Sequence, residues 1–286
     1  MSNLIVGAVD KYEFPQINNW LKSIVASGYT DDVMLIVYRI SDAAIAACKT
    51  VMPTLQIYMV DYDVNGQSLA YEAQGKDTQV HQYRFFHLYD ILRRINVKYD
   101  YICVTDVKDC IFQCNPFPFI HDKLTDLNKD FIAPSEMMIY RDEPWGKNNM
   151  IQGFGQYVAS IFEKNLITNI GTIAGRWQSI QDMALILYLM GQHRSLPNDQ
   201  SGWNILVHTL LKDRTFFAGD DSAWAAQMGT THDPEKVHYT PMLTDKKPTI
   251  NYETGLVYNS DNNLYVLVHQ YDRVPQLNTI IKERYK

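Results

Sequence analysis

Residues Tyr101 to Asp109 read YICVTDVKD and place two carboxylates directly after a short apolar run. The run from Tyr101 to Val104 has the length and composition of a buried strand. In a parallel sheet, ligands bind in the crevice beyond the carboxyl ends of the strands, so Asp106 and Asp109 fall at a ligand-binding edge. Two carboxylates there could hold Mg²⁺ or Mn²⁺ together with a diphosphate, because these cations prefer oxygen ligands. The alternative is a turn in which both side chains accept hydrogen bonds from backbone amides.

The sequence before this stretch alternates between short apolar runs and segments of helical periodicity. Leu4 to Val9 predicts a strand, and Phe14 to Ala26 predicts a helix that Gly28 closes. Asp32 to Tyr38 predicts a second strand. Such an alternation predicts an α/β fold with a mixed, mostly parallel sheet flanked by helices. The other predictions for this half are a helix at Asp42 to Met52, a strand at Leu55 to Val60, a polar loop at Asp61 to Thr78 and an amphipathic helix that carries Phe85, Leu88, Tyr89, Leu92 and Ile95.

The second half of the chain is less regular. Tyr140 to Gln156 is rich in Trp, Gly, Asn and charge, a composition typical of a binding loop. Leu264 to Val268 predicts a late strand, and His269 follows it. Because no repeat, low-complexity tract or linker interrupts the chain, we expect residues 1–286 to form one domain. The other predicted elements are strands at Phe131 to Pro134 and Leu166 to Asn169, a buried helix at Ser179 to Met190 and a helix at Asp199 to Leu211.

The composition limits the classes of protein that remain. Hydrophobic residues make up 46% of the chain and charged residues 20%, as in ordinary globular proteins. The formal net charge of −6 argues against a nucleic-acid partner, which usually requires a basic surface. No apolar run is long enough to span a bilayer, and the N-terminus lacks the pattern of a signal peptide. We therefore expect a cytoplasmic protein without a transmembrane segment, whose cysteines are free thiols rather than zinc ligands.

Residues Asp106 to Phe117 read DVKDCIFQCNPF and resemble a signature of glycosyltransferases with the GT-A fold. That signature combines Asp-x-x-Asp, Phe-Gln and Asp/Asn-Pro-Phe. Asn169-Ile170-Gly171 resembles the Asn-x-Gly of glycogenin-type enzymes, and Asp199-Gln200 with Asn204 resembles their Asp-Gln-x-x-x-Asn helix start. His269 lies where this superfamily commonly supplies a third metal ligand. Because the four elements occur in the correct order, the resemblance extends over most of the chain.

The resemblance implies a metal-dependent enzyme that moves a sugar from a nucleotide diphosphate sugar to a hydroxyl of a glycan. Asp106, Asp109 and His269 would hold Mn²⁺ or Mg²⁺, and uridine diphosphate is the leading nucleotide. Residues 1–117 would form the half that binds the nucleotide sugar, and residues 118–286 the half that binds the acceptor. The Asn-x-Gly and Asp-Gln elements favour retention of the anomeric configuration, although the same scaffold supports both outcomes.

Two features depart from the patterns of the superfamily. The usual motif is Asp-x-Asp, whereas Lys108 occupies its third position here, so either Asp106 or Asp109 could be the direct ligand. His269 is followed by Gln270-Tyr271-Asp272-Arg273 instead of the His-x-x-Gly-x-x-Lys stretch of glycogenin-type enzymes. The similarity therefore concerns the fold and the site rather than membership of the glycogenin-type family.

The resemblance also implies roles for other residues. Arg84 and Lys108 would contact phosphates, and exposed surface positions are the alternative for both. Asp199 and Gln200 would bind the sugar or act in catalysis, because a carboxylate near the anomeric carbon can act as a base or stabilise an oxocarbenium-like state. The alternative is that Asn198 or Asp199 only caps a helix. The remaining candidates are Val9 and Asp10 for the base and ribose, Asn169 and Gly171 for the donor sugar, and Tyr140 and Trp145 for stacking on an acceptor sugar.

Three other functions compete with this one. A nicotinamide oxidoreductase would need Gly-x-Gly-x-x-Gly after the first strand, which Gly7 to Tyr12 does not supply. A sugar-phosphate nucleotidyltransferase would need a loop rich in glycine and arginine at the same place. A non-catalytic protein that binds glycans or nucleotides would be free to lose the metal ligands. Because Asp106, Asp109 and His269 are all present, the sequence favours an enzyme.

Overall fold

The structure is a computed structural model that describes residues 2–60, 80–192, 198–233 and 246–286. Strands and helices alternate in the first half, as the sequence predicts. The polar segment predicted at Asp61 to Thr78 lies outside the described residues. The elements of this half are β1 (Asn3–Asp10), α1 (Phe14–Ala26), β2 (Asp32–Tyr38), α2 (Asp42–Val51), β3 (Gln56–Met59), α3 (Val80–Arg94), β4 (Tyr101–Thr105), β5 (Cys110–Phe112) and α4 (Phe117–Asp126).

The second half adds antiparallel strands and further helices to this arrangement. Its strands are β6 (Phe131–Ile139), β7 (Leu166–Thr168), β8 (Thr172–Arg176), β9 (Thr215–Ala218), β10 (Ala225–Gln227), β11 (Thr249–Asn251), β12 (Leu256–Tyr258) and β13 (Leu267–His269). Its helices are α5 (Pro144–Phe154), α6 (Gln156–Phe162), α7 (Trp177–Met190), α8 (Asp199–His208), α9 (Met228–Thr231) and α10 (Pro275–Arg284). Among the helices of the described ranges, none has both the length and the apolar character needed to cross a membrane.

The ends of α1 are set by local sequence. Pro15 lies in the first turn, where its fixed φ suits a helix and its missing N–H has no partner to lose. The Gln16 side chain accepts a hydrogen bond from the Glu13 backbone N–H at 2.9 Å. Gly28 follows the helix with a φ of 77°, a left-handed conformation that glycine adopts without a steric penalty. The predicted β-α-β opening is therefore confirmed.

The large sheet has the strand order β3-β2-β1-β4-β8-β6-β7, and β9 pairs with β6. Strands β3, β2, β1 and β4 are parallel, whereas β4, β8, β6 and β7 pair antiparallel. Since β8 runs opposite to β4, it begins beside the carboxyl end of β4, where Thr172 pairs with Thr105. The turn before β8 therefore lies next to Asp106, whose backbone N–H donates to the Gly171 carbonyl at 2.8 Å. The predicted α/β class with a mixed, mostly parallel sheet is confirmed.

A small sheet of order β10-β13-β5 stands beside the carboxyl end of β4. His269 at the end of β13 pairs with Gln227 on one side and with Cys110 on the other. The backbone N–H of Gln270 also donates to the Asp109 carbonyl at 2.7 Å. This sheet therefore brings the last residue of β13 next to the loop between β4 and β5.

Hydrophobic clusters cover both faces of the large sheet, and alternate residues of β1 belong to one cluster or the other. One cluster contains Trp20 of α1 and Trp224, and the other contains Phe85 of α3 and Trp203 of α8. All three tryptophans are fully buried. A third cluster packs α10 against the small sheet through Leu277. Packed side chains therefore support both faces of the large sheet and one face of the small sheet.

The segment predicted as a binding loop, Tyr140 to Gln156, is largely helical. A 3-10 turn at Tyr140–Asp142 leads into α5. Glu143 caps α5 by accepting a hydrogen bond from the Gly146 backbone N–H, and Pro144 starts the helix. A proline at the first helical position and a side-chain cap favour a helix start. These local signals outweigh the loop-like composition, so the prediction of a loop was wrong.

Other predicted bounds also differ from the structure. Strand β6 passes its predicted end at Pro134 and continues to Ile139, because β8, β9 and β7 pair with successive parts of it. The late strand contains only Leu267–His269, so His269 lies within it and not after it. Helix α7 is not buried all round, since Leu189 is 59% exposed. The short strands β5, β8, β9 and β10 were also not predicted, because each forms by pairing with a strand that is distant in the sequence.

Gly175→Ala tests the close packing around β8. A Cβ at Gly175 would lie 2.7 Å from the Asp130 carbonyl oxygen and 3.0 Å from the Ile180 side chain. The Asp130 carbonyl accepts a hydrogen bond from the Arg176 backbone N–H at 2.9 Å, so it cannot move aside as a flexible side chain can. We therefore expect this substitution to lower the free energy of unfolding by about 1–3 kcal/mol, measured by urea denaturation.

Gly202→Ala is the matched control. Gly202 lies within α8, and a Cβ there would meet its nearest neighbour, Leu187, at 3.4 Å, which is ordinary contact. Alanine is favoured over glycine in a helix by about 1 kcal/mol, so the free energy of unfolding should stay the same or rise. Equal losses in the two variants would contradict the steric explanation.

Candidate active site

Three potential metal ligands meet where the two sheets adjoin. Asp106 follows β4, Asp109 precedes β5 and His269 ends β13. Their ligand atoms all lie within 4.8 Å of one another. His269 Nε2 is 3.4 Å from Asp106 Oδ2 and 3.7 Å from Asp109 Oδ1. The predicted convergence of these residues is confirmed, although Asp109 and His269 are far apart in the chain.

The donor set and the orientation of His269 fit a divalent cation. His269 Nδ1 lies 2.8 Å from Gln227 Oε1, which can only accept a hydrogen bond, so Nδ1 carries a proton. The other ring nitrogen, Nε2, is buried and makes no hydrogen bond to any residue in the described ranges. Together with carboxylate oxygens from Asp106 and Asp109, this nitrogen forms a set of ligands suited to Mn²⁺ or Mg²⁺.

The three ionisable groups of this cluster shift one another's pKa values. Burial raises the pKa of the Asp109 carboxyl and Asp106 raises it further, while His269 opposes the shift. Burial also acts to raise the pKa of Asp106, but Arg84 and His269 outweigh it and hold that pKa well below its usual range. For His269, burial acts to lower the pKa, but Asp109 and Asp106 outweigh it and the pKa is raised. A bound cation would offset the repulsion between the two carboxylates.

Arg84 lies behind this cluster, buried between two carboxylates. Its Nη1 atom is 2.6 Å from Asp106 Oδ1, and its Nη2 atom is 3.0 Å from Asp199 Oδ2. Arg84 is only 8% exposed, so the alternative of an exposed helical arginine was wrong. Its two ion pairs connect α3 to the end of β4 and to the start of α8.

The turn before β8 packs directly against the metal cluster. Asn169 Oδ1 accepts from the Gly171 backbone N–H at 2.6 Å, and Asn169 Nδ2 donates to Glu136 Oε1 at 2.9 Å. A Cβ at Gly171 would lie 2.5 Å from Asp106 Oδ2 and 2.8 Å from His269 Cε1. The groups that approach Gly171 closely are therefore the side chains of the cluster itself. Contact of Gly171 with a donor sugar stays a prediction.

Glu136 is a buried carboxylate of the site that the sequence patterns did not reveal. It lies on β6 and is 6% exposed. Gln200 Nε2 donates to Glu136 Oε1 at 3.3 Å, and the Thr230 hydroxyl donates to Glu136 Oε2 at 3.4 Å. Within the described residues it has no ion pair with a cationic side chain. The signal that could have identified it is a charge inside the otherwise apolar run Phe131 to Ile139.

Two residues of the predicted Asp-Gln-x-x-x-Asn element, Asp199 and Asn204, are fixed by hydrogen bonds in α8. Asp199 Oδ1 accepts from the Gln200 backbone N–H at 2.9 Å, while its other oxygen pairs with Arg84. Asn198 is the N-cap of α8, but its side chain makes no capping hydrogen bond. Asn204 exchanges hydrogen bonds with the backbone of Thr168 at 2.8 Å in both directions and so ties α8 to β7. Asp199 therefore does more than cap the helix.

Three adjoining cavities form a groove along these residues. The β1 cavity has a volume of about 340 Å³, the central cavity about 360 Å³ and the α5 cavity about 510 Å³. Arg84 and Asp106 line both the β1 and the central cavity, and Trp145, Gln200 and Gln270 line both the central and the α5 cavity. The β1 cavity is also lined by Ala8, Asp10, Tyr12, Lys108 and Asp109, the central cavity by Asn169, Gly171, Asp199 and His269, and the α5 cavity by Glu136, Thr230, His232 and Arg273.

Two predicted residues do not reach the groove with their side chains. Val9 is 1% exposed and packs in the core, because successive strand residues point to opposite faces and Ala8 and Asp10 take the side of the cavity. Tyr140 is 2% exposed and packs in a hydrophobic cluster, so it cannot stack on an acceptor sugar. Trp145 is 59% exposed and lines two cavities, as its predicted role requires.

Tyr12 and Gln227 are two further residues that the sequence patterns did not single out. Tyr12 lines the β1 cavity, and burial, with smaller effects of Asp106 and Asp109, raises its pKa to about 12. Its position shortly after the end of β1, at the ligand-binding edge of the sheet, could have identified Tyr12 as a residue of the groove. Gln227 contacts His269 from a strand of three residues, which has no distinctive pattern.

The fold of the chain is similar to that of solved glycosyltransferase structures. The galactosyltransferase LgtC, in complex with donor and acceptor sugar analogs, is 15% identical to the chain and has a TM-score of 0.56 over 99% of this chain and 93% of that one. An active-site mutant of LgtC is 15% identical, with a TM-score of 0.52 over 93% of this chain and 86% of that one. No known protein-family profile and no curated protein sequence matches the chain. The likeness shows that the chain has the GT-A fold, as the sequence resemblance implied.

Arg84→Met tests the buried ion pairs of the site. The substitution keeps the length of the side chain but leaves Asp106 and Asp199 without their shared cation. Removal of one partner from a buried ion pair is strongly destabilising, because a buried charge remains uncompensated. We expect the free energy of unfolding to fall by about 3 kcal/mol, measured by urea denaturation at neutral pH without added metal.

Arg39→Met is the control for this change. Arg39 Nε donates to Asp10 Oδ1 at 2.9 Å, and the two side chains are 26% and 15% exposed. More exposed ion pairs contribute about 0–1 kcal/mol, so a small loss is expected. If Arg84→Met were as stable as Arg39→Met, the buried pairs would not hold the site together.

Proposed function

We propose that the protein transfers a sugar from a nucleotide diphosphate sugar to a hydroxyl of a glycan, with Mn²⁺ or Mg²⁺ bound. The observation that carries this proposal is the convergence of Asp106, Asp109 and His269 at a groove in a GT-A fold. A fold alone hosts many functions, so the site has to supply the argument. Two partly exposed carboxylates face a buried imidazole nitrogen that has no hydrogen-bond partner in the described ranges, and binding of a cation explains this arrangement.

The bound cation would neutralise charge on the diphosphate as the nucleotide leaves. Around it, the chain offers two basic groups to the phosphates. Lys108 is exposed, lines the β1 cavity and suits a phosphate as a point charge. Arg84 lines the same cavity but already pairs with Asp106 and Asp199, so it would meet phosphates only through its remaining N–H groups.

The β1 cavity is the proposed place of the nucleoside. Asp10 lines it with a carboxylate that can accept hydrogen bonds from a ribose, and Tyr12 offers an aromatic ring. Val9 would contribute through its backbone, since its side chain is in the core. Uridine diphosphate is proposed as the nucleotide on the resemblance of the motifs.

The central cavity is the proposed place of the donor sugar. Asn169, Gly171, Asp199 and Gln200 all line it. Asp199 is a carboxylate held rigidly by Arg84, so it can stabilise positive charge that develops on the sugar without reorganising. Gln200 lines both the central and the α5 cavity and is therefore placed between donor and acceptor.

The α5 cavity is the proposed acceptor subsite. It is lined only by residues from the second half of the chain, such as Glu136 and Trp145, whereas most residues of the β1 cavity come from the first half. This distribution supports a single domain in which residues 1–117 bind the nucleotide and residues 118–286 bind the acceptor, while the donor sugar lies between residues of both halves. All four cysteines are free thiols, which supports the cytoplasm as the proposed location.

Asp109→Asn tests the proposed reaction. Asparagine keeps the size of the side chain and can still accept backbone hydrogen bonds, so folding should change little. Loss of an anionic ligand weakens the hold on the cation and its effect on the leaving group, which is typically worth about 3 kcal/mol or a hundredfold in rate. We expect sugar release from uridine diphosphate sugars, measured with Mn²⁺, to fall by about that factor.

Asp122→Asn serves as the control, because Asp122 is an exposed residue of α4 away from the groove. It should leave both turnover and melting temperature unchanged. Near-normal turnover of Asp109→Asn, or a fall in melting temperature large enough to explain the lost activity, would contradict the metal role. A wild-type protein that binds nucleotide sugars with Mn²⁺ but transfers nothing would instead support the non-catalytic alternative.

Trp145→Ala tests the acceptor subsite. Stacking on an exposed indole ring contributes about 1 kcal/mol, so the KM for an acceptor glycan should rise several-fold while the KM for the donor stays the same. Tyr157→Ala is the control, since Tyr157 is an aromatic residue that is 78% exposed on α6. Equal changes in the two variants, or a rise in the donor KM alone, would remove Trp145 from the acceptor subsite.

A further inference from the structure

We propose that Gln227 is a positioning residue for the metal site: it keeps a proton on His269 Nδ1 and thereby leaves Nε2 as the metal ligand. The inference rests on the metal site of the proposed function. It assigns a task to a residue that lies outside the groove and touches neither Asp106 nor Asp109 by any hydrogen bond in the described part of the chain.

Gln227 and His269 are neighbours in register on the parallel strands β10 and β13. Their side chains are 2% and 1% exposed, so water does not compete for their hydrogen bonds. Gln227 Oε1 lies 2.8 Å from His269 Nδ1, and Gln227 Nε2 donates to Thr172 Oγ1 at 3.1 Å. Thr172 is itself fully buried at the start of β8. A chain of hydrogen bonds therefore runs from the large sheet through Gln227 to His269.

The orientation of the Gln227 amide decides which nitrogen of His269 can bind a cation. An amide has one end that accepts and one that donates. If the Gln227 amide were reversed, its NH₂ group would donate to Nδ1, and the neutral ring would carry its proton on Nε2. That N–H would point toward Asp106 and Asp109, and a protonated nitrogen cannot ligate a metal. In the structure the amide oxygen of Gln227 faces His269, and the hydrogen bond from Gln227 Nε2 to the Thr172 hydroxyl holds the other end of the amide.

A glutamine suits this place better than an acid. Histidine ligands of metals usually donate their second N–H to a carboxylate, a carbonyl oxygen or water. Here the site already contains Asp106 and Asp109, with Glu136 near His269 as a further negative charge. An amide oxygen orients the ring without adding another buried anion, whose desolvation would be costly.

The test measures Mn²⁺ affinity rather than turnover. Dissociation constants would be obtained by electron paramagnetic resonance of free Mn²⁺ for the wild type, Gln227→Met, Gln227→Glu and Thr172→Val. Methionine has a similar length but offers no comparable acceptor, and loss of the hydrogen bond that orients a ligating histidine weakens metal binding by about 10–100-fold. Gln227→Glu keeps an acceptor and should bind Mn²⁺ at least as tightly as the wild type. Thr172→Val frees the amide to reverse and should fall between the wild type and Gln227→Met.

Thr215→Val is the matched control for loss of a buried polar group. Thr215 is 3% exposed on β9, and its hydroxyl donates to the Leu211 carbonyl. This variant should lose some thermal stability without any change in Mn²⁺ affinity. In the Mg²⁺-loaded protein, NMR of nitrogen-labelled histidine should also detect a slowly exchanging proton on His269 Nδ1 in the wild type and not in Gln227→Met.

Wild-type Mn²⁺ affinity in a folded Gln227→Met would overturn the inference, as would an equal loss in folded Gln227→Glu. If Gln227→Met does not fold, wild-type Mn²⁺ affinity in Thr172→Val would overturn the inference instead. Failure of the wild type to bind Mn²⁺ at all would instead remove the metal from the proposed function. The two results are distinguished by the wild-type measurement alone.

Discussion

The buried guanidinium of Arg84 is the interaction on which the arrangement of the site depends. It brings α3, the end of β4 and the start of α8 together through Asp106 and Asp199. A guanidinium suits this task because its planar set of donors can meet two carboxylates at once, which an ammonium group does less well. Asp199 is buried and would be costly to leave without a cation, and the guanidinium of Arg84 offsets that cost. The aspartate beside the proposed metal and the aspartate beside the proposed sugar therefore have fixed positions relative to each other.

This shared cation also makes the two aspartates of the Asp-x-x-Asp element unequal. Asp106 uses one oxygen for Arg84 and turns the other toward His269, so its charge is compensated before any metal binds. Asp109 faces His269 at 3.7 Å and has no arginine or lysine partner among the described residues, and burial raises its pKa. A bound cation would therefore stabilise the charge of Asp109 more than that of Asp106. We infer that Asp106 is preorganised and that Asp109 depends most on the ion.

The sequence predicted the position of the acid pair better than it predicted the strands of the second half. The reason lies in the geometry of the sheet. In an α/β sheet the loops after the strands gather at one edge, so an acid pair after β4 could be placed without knowledge of side-chain packing. Strands β5 and β10 have three residues each and are defined by pairing with the distant β13, which no local pattern encodes. Glu136 and Gln227 gain their roles only through such pairing. Tyr140 was placed wrongly because an aromatic residue in a polar segment can face either the core or the solvent.

The charged residues along the groove limit which acceptors can bind there, whereas the fold alone does not. Glu136 lines the α5 cavity, is buried and has no cationic partner in the described ranges, and its Oε2 atom accepts only a long hydrogen bond from Thr230, so it can accept further hydrogen bonds from a molecule that binds there. A phosphate or carboxylate at this point would be repelled, whereas hydroxyl groups can donate to it. Arg273 also lines the cavity but is exposed, and solvent weakens its attraction for anions. Gln200 and Trp145 complete a surface that suits a neutral ring bearing hydroxyl groups, which is the chemistry of the glycan acceptor in the proposed reaction.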